Sequence, residues 1–399
     1  MKKGRYRYNG FHENWKSVKL GNFVEVNPKS FLPRKFKYVD LESVVGTKLI
    51  SYTEEIRESA PSRAQRVAQK GDVFFQTVRP YQKNNYLFDL NEDNYVFSTG
   101  YAQLRPKVDS AFLLARLQEE GFVNKVIERC TGTSYPAINS KDLSRISITI
   151  PEDFDEQSAI GSLFRTLDEL LASYKDNLAN YQSLKATMLS KMFPKAGQTV
   201  PEIRLDGFEG EWNKSKLKDV AHRVQGNDGR MDLPTLTISA SGGWMNQIDR
   251  FSANIAGKEQ KNYTLLKKGE LSYNHGNSKL AKYGVVFELQ DYEEALVPKV
   301  YHSFRVNQLA DAKFIEIMFS TKIPDRELGK LISSGARMDG LLNISFDDFM
   351  NIAIIIPTFA EQQAIGSYFS NLDKLINSHQ EKISQLETLK KKLLQDMFI

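Results

Sequence analysis

The side chains in this sequence best suited to chemistry are hydrogen-bond donors and acceptors carried on loops. One cluster is Lys29, Arg34, Lys35, Lys37 and Tyr38; a second is Gln76, Arg79, Tyr81, Lys83, Asn84 and Asn85, directly after the apolar run Val73 to Phe75. Arg and Lys pair with phosphates and guanine edges, and Gln and Asn pair with adenine edges, so a loop leaving a strand can carry such residues into a nucleic-acid groove. A third candidate, Thr131-Gly-Thr-Ser-Tyr135, contributes Thr133, Ser134 and Tyr135. Tyr273, Asn274, His275, Asn277 and Lys279 occupy the place of the second cluster later in the chain, and Ser333 to Arg337, with Ser334 and Arg337, occupies that of the third. Trp244 and Asn246 follow Gly242-Gly243, where the indole suits stacking or wedging and equally suits a core position beside a turn. Each loop also fits a plain solvated turn.

Self-contained catalysis finds no support. The sequence has no GxxxxGK[ST] phosphate loop, no GxGxxG after a strand and no GxSxG elbow. Its one cysteine, Cys130, and five scattered histidines give neither a disulfide framework nor a zinc-ligand spacing. Pro324-Asp325 reads as a solvated helix start, since no acid-x-Lys follows to make a nuclease-type pair. The N-terminus lacks the apolar run of a signal peptide, and no stretch approaches the roughly 18 apolar residues of a membrane span, which leads us to expect a soluble intracellular protein.

Two folded units are expected from 399 residues of which 41% are apolar. A duplication makes that concrete. EQSAIGSLFRTLDELL at Glu156 recurs as EQQAIGSYFSNLDKLI at Glu361, and Leu184, Lys185, Leu189, Met192 and Phe193 recur as Leu389, Lys390, Leu394, Met397 and Phe398. The surroundings of Trp15 and Trp212 match more faintly, as do Lys70-Gly71-Asp72 and Lys268-Gly269-Glu270, which points to structural tryptophans. Between these anchors the halves differ freely, the pattern expected when a frame is kept while surfaces diverge.

The repeated segments read as long helices opening at Asp153 and Thr358, whose side chains can accept from a free amide of the first turn. The first should stop at Phe193, before Pro194, and the second should run to the chain end. Ile160, Phe164, Leu167, Leu171, Tyr174, Leu178 and Tyr181 follow a 4,3 alternation; so do Ile365, Phe369, Leu372, Ile376, His379, Ile383 and Leu386. The seam falters at Lys185 and Lys390 and then resumes, and His379 within it reads as a packed histidine. Each seam is best buried in the other.

The second variable region begins where the first helix ends and finishes where the second begins. Parallel helices of about 60 Å would separate those points too far for a compact domain, so an antiparallel pair is expected. The expected class is α+β: two domains of mixed α/β structure at opposite ends of an antiparallel two-helix coiled coil, with pseudo-two-fold symmetry. The expected segments are 1–152, 153–194, 195–357 and 358–399. Short strands are expected at Val73–Thr77, Tyr95–Thr99, Ile146–Ile150, Leu271–Asn274, Val285–Leu289 and Ile352–Ile356, and short helices at Ala111–Arg129 and Ala312–Phe319. Both long segments carry balanced charge, so the net +5 resides outside them.

On its duplicated helices, the KGD and KGE turns and the TGTSYPAI segment, the chain resembles the specificity subunits of type I restriction-modification systems; half two departs at SSGARMDGLLNIS. The resemblance implies two target-recognition domains, each reading half of an interrupted double-stranded DNA target, and a helix pair that fixes the gap. It further implies two modification subunits that bring S-adenosylmethionine and methylate adenine, restriction subunits that join for cleavage, and no cofactor or catalysis of the chain's own, in the cytoplasm. The competing reading is an intracellular coiled-coil scaffold whose end domains bind proteins.

Overall fold

The computed structural model describes residues 10–11, 14–132, 134–251, 257–276, 278–332 and 341–398. It divides into two compact units, one of residues 1–177 with 379–399 and one of residues 178–378. Each unit therefore holds its own variable region together with part of both long helices, which span Phe154–Lys191 and Phe359–Met397. The first ends two residues before the expected Phe193. A residue preceding proline is pushed out of helical geometry, and Met192 and Phe193, next to Pro194, are buried instead of extending the coil. The Asp153 carboxylate accepts from the Asp155 amide at 2.8 Å, and the Thr358 hydroxyl accepts from the Glu361 amide at 3.4 Å.

In the first unit, strands Lys16–Lys19 and Ser147–Ile150 pair antiparallel just ahead of the long helix. A four-stranded sheet runs in the order Val24–Val26, Tyr101–Pro106, Val73–Gln76, Tyr86–Leu87. A second sheet runs Thr53–Ile56, Lys35–Val39, Tyr95–Ser98, Ala64–Val67, with its two central strands parallel. The other unit repeats the first two features: Asn213–Lys216 pairs with Ala353–Ile356, and a sheet runs Ala221–Arg223, His302–Val306, Leu271–Asn274, Val285–Glu288. Where the first unit has its second sheet, the other has two ribbons, Leu236–Ser239 with Gly243–Asn246 and Thr264–Lys267 with Glu294–Val297, joined by a parallel bridge between Thr235 and Leu296.

Within each unit the two long helices run antiparallel. In the first, residues early in one helix (Phe164, Leu167, Leu171) share a core with residues late in the other (Leu386, Met397), together with Phe398 just past its end. In the second, Tyr181, Met188 and Met192 meet Ile365, Phe369 and Leu372. The seam is buried at Ile160, Phe164, Leu167, Leu171, Ile365, Phe369, Leu372 and Leu386 and half-buried at Tyr174, Leu178, Tyr181, Ile376, His379 and Ile383. His379 packs on Tyr174, ring centroids 5.3 Å apart. An aromatic trio closes each unit: Trp15, Phe112 and Phe398 in one, Trp212, Phe314 and Phe193 in the other. The short helix expected over Ala111–Arg129 is two, Ser110–Gln118 and Glu120–Ile127. Glu119 between them is extended, and its carboxylate both caps the second helix and pairs with Arg116. The second unit has the expected single helix, Ala312–Ser320.

Candidate nucleic-acid interface

The repeated EQ-x-A-I-G motif is the joint between each long helix and the short helix of its unit. Buried Gln157 accepts from the Asp109 amide at 3.2 Å and donates to the Pro151 carbonyl at 2.9 Å. Its repeat, Gln362, accepts from Asp311 at 2.9 Å and donates to Pro357 and Leu309 at 3.0 Å. Asp109 and Asp311 in turn cap the short helices through the amides of Phe112 and Phe314. A glycine follows at the point of contact: a Cβ on Gly161 would lie 2.7 Å from the Phe112 backbone nitrogen, so a side chain there would force the helices apart. The glutamates of the motif hold the N-terminal segments. Glu156 accepts from the Trp15 indole at 3.1 Å, and Glu361 receives Arg204 through two bonds of 2.8 and 2.7 Å. Lys185 and Lys390, where the seam falters, bridge to Asp373 and Asp168 of the opposite helix, the same pair generated twice by the duplication.

On this frame the first unit brings two expected loops together. The Arg79 amide donates to Pro136, Val78 bridges Ala137, and the Arg79 guanidinium lies 4.4 Å from the centre of the Tyr135 ring. Arg79 and Lys83 adopt left-handed backbone around the turn Pro80–Gln82. Tyr81, Ser134 and Tyr135 are exposed beside them. Gln76 and Asn85, by contrast, lie inside. Asn85 accepts from the Gln76 amide at 2.8 Å, and the Gln76 side chain accepts from Asn84 and donates to Gln82, so both build the turn. Asn84 is committed to the Gly46 amide and Lys83 to Glu120.

The second unit shows a larger departure. Tyr273 is buried, stacked on Phe349 at 4.4 Å, with its hydroxyl donating to Tyr283. His275 is buried with both ring nitrogens 2.9 Å from carbonyls, those of Leu342 and Val300. Tyr273 is a strand residue pointing into the core and keeps that orientation whatever its chemistry, and His275, just past the strand's end, is held inside by its two carbonyl partners, so neither is a groove contact. Trp244 is not a wedge: its indole donates to the Glu288 carbonyl at 3.0 Å and its ring packs on the Leu236 cluster. Asn246 accepts from the Ile248 amide, and Asn274 is held by Ile238 and Gly276. Lys279 is exposed. Thr133, Asn277, Ser334 and Arg337 lie outside the described residues.

His302 sits 4.7 Å from His275, ring to ring, and donates to the Ile344 carbonyl at 2.9 Å. Burial pushes its pKa down to about 4, with His275 and Arg223 adding repulsion. The folded ring stays neutral to about pH 4 while the unfolded ring takes its proton near 6.5, so the unfolded state binds more protons between those values. Stability of the second unit should therefore fall as pH drops from about 6.5 to about 4, by about 3 kcal/mol in all. Urea unfolding followed through Trp212 and Trp244 in a Trp15→Phe background measures it, and His302→Gln should flatten the dependence.

The other expected cluster lies at the edge of the first unit's second sheet. Arg34 and Lys35 are exposed. Lys37 lies over the Tyr52 and Tyr95 rings and is tied to Glu92 at 2.5 Å, and the Glu92 carboxylate, with the Tyr95 hydroxyl, raises its pKa to about 12. Sequence reasoning overlooked a neighbour: Phe31 is 97% exposed, the largest value among the exposed apolar side chains of the described residues. Its signal was a lone aromatic between a lysine and an arginine, framed by Pro28 and Pro33. Among the described residues no group of His, Cys, Asp and Glu could hold a metal, and no helix is long and apolar enough to cross a membrane.

The frame of paired helices carrying two variable domains defines a class. The profile of the type I restriction modification DNA specificity domain matches residues 12–180 and again 209–388, and the chain belongs to that family. A relative is the type I restriction enzyme HindI specificity subunit of Haemophilus influenzae, 27% identical over 154 residues. That match spans 37% of this chain and 30% of the relative. Among solved structures, the S subunit of a type I restriction-modification system from M. genitalium matches with a TM-score of 0.61 at 14% identity, over 100% of this chain and 99% of that one. The HsdS subunit from Thermoanaerobacter tengcongensis matches at 0.46 and 21% identity, over 100% and 99%.

Proposed function

We propose that the chain is the DNA-reading specificity subunit of a type I restriction-modification complex. Each variable domain reads one half of a bipartite double-stranded target, the long helices shared by both units set the gap, and their outer faces seat two modification subunits. Those subunits supply S-adenosylmethionine and the methyl transfer to adenine, restriction subunits join for cleavage, and the chain itself does no chemistry, acting in the cytoplasm. The observation that carries this reading is the duplication of the frame without the loops. The Gln157 and Gln362 joints are built alike, while the loop that carries Arg79 and Tyr81 in one unit has Asn274 and Lys279 at the equivalent place in the other. Two unlike half-sites require such an arrangement, whereas a scaffold binding one partner twice would keep its loops alike.

Methylated adenines mapped across a genome with and without this chain, its modification subunit present in both, test the proposal. A single interrupted motif should appear only with the chain. Binding to that motif should weaken steeply with salt, as phosphate contacts demand; no motif, or salt-indifferent binding, would favour the scaffold.

A further inference from the structure

The exposed Phe31 has no structural reason to be where it is. Its loop is held rigidly from below: Asn27, in left-handed backbone, donates to Ser140 at 2.8 Å and accepts from the Gln103 amide at 3.0 Å, while Leu32 packs inward against the Phe36 cluster. Pro28 and Pro33 restrict the chain on either side. Phe31 therefore stands out from a fixed base with almost its whole ring in solvent.

The charge around it is concentrated. Residues 27–37 hold four basic side chains and no acid, and residues 57–66, which adjoin them through the Arg57 amide on the Arg34 carbonyl, hold three basic and one acidic. With Glu54 and Glu55 on the strand paired to Lys35–Val39 and Glu92 bridged to Lys37, this corner still carries a net +3 in a chain whose total is +5. Lys29, Arg34, Lys35, Arg57 and Arg63 are exposed, and none has a carboxylate within ion-pair distance among the described residues. A cationic surface with an apolar tip at its centre matches the two surfaces of a nucleic acid, phosphate outside and base planes within.

The second unit supplies a contrast. Leu233-Pro234 repeats Leu32-Pro33 ahead of the corresponding strand, which places Asp232 where Phe31 stands and Arg230 where Lys29 stands. Arg230 is consumed by Asp228 at 2.8 Å and Glu294 at 2.7 Å. At this place in the fold the second unit thus has neither the ring nor a free cation in the position of Lys29.

We infer that Phe31 is an apolar wedge that enters a base step of duplex DNA at or beside the first unit's half-site, with Lys29, Arg34 and Lys35 seated on the flanking phosphates. Such wedges, inserted from the minor groove, unstack a step and kink the duplex toward the major groove. This rests on the DNA-reading function proposed above. The assembled complex with its modification subunits is titrated onto a duplex of the mapped target carrying 2-aminopurine at successive positions of, and beside, each half-site. A fluorescence rise confined to one step is expected. Phe31→Ala should abolish the rise and weaken binding about tenfold, and Phe31→Leu should retain much of both. Lys29→Ala and Arg34→Ala should each reduce the salt slope by about one. Because the ring is solvated, these variants should unfold like the parent. Parent-like fluorescence and affinity in Phe31→Ala would overturn the wedge and leave the DNA-reading function standing; failure of the parent complex to bind the duplex would overturn both.

Discussion

Four residues inserted after Asn177 and four more after Ser378 should abolish methylation at the original target and transfer it to a target with the same two half-sites and a different gap. Those points are the boundaries between the compact units, so each unit keeps its own seam, its EQ-x-A-I-G joint and its loops. The insertion adds about 6 Å to each helix and turns it by about 40°. Under the proposed function the half-sites depend on the loops, which are untouched, and the gap depends on the helices, which are not. Loss at the old target should exceed 100-fold, because a displaced domain forfeits its base contacts together. Genome-wide methylation mapping reads both quantities. Retention of the original gap would show that something other than the helix pair sets it.

Arg204→Ala should produce the largest loss of stability, about 3 kcal/mol, confined to the second unit. Its partner Glu361 is 1% exposed and takes two of the guanidinium's bonds, so truncation leaves a buried carboxylate without its counter-charge. The position of Glu361 in the first turn of its helix offsets part of that cost, which holds the expectation at the lower end of what such deletions produce. Arg204→Ala combined with Glu361→Gln should recover part of the loss, since an amide carries no charge to strand. Urea unfolding through Trp212 and Trp244, again in the Trp15→Phe background, reports this unit by itself. An unchanged midpoint would mean that the pair contributes nothing beyond what water supplies.

The long helices, their caps and their seam were legible because each rests on spacing along a single segment. Period 3.5 identifies the buried stripe, and the duplication fixes which segments correspond. The interruption at Lys185 and Lys390 was visible but mute, since its partners Asp373 and Asp168 are about two hundred residues away. The buried role of Gln157 and Gln362 was hidden for the same reason: a glutamine next to a glutamate reads as solvated helix surface until a second helix is placed upon it.

The candidate site divides along a similar line. Composition located the polar loops, and Arg79, Tyr81 and Tyr135 do lie together at an exposed edge. Composition could not assign inside and outside. Gln76, Asn85, Tyr273 and His275 have the side chains of a reading loop, yet they face the interior because strand alternation and turn closure fix their direction before chemistry enters. Phe31 is the converse, a core-type residue held in solvent by two prolines and a doubly anchored asparagine. The sequence by itself determined the duplicated frame, through local periodicity repeated at a constant offset. Only the tertiary structure decided which loop residues remain available to a partner, because burial depends on neighbours brought together from distant parts of the chain.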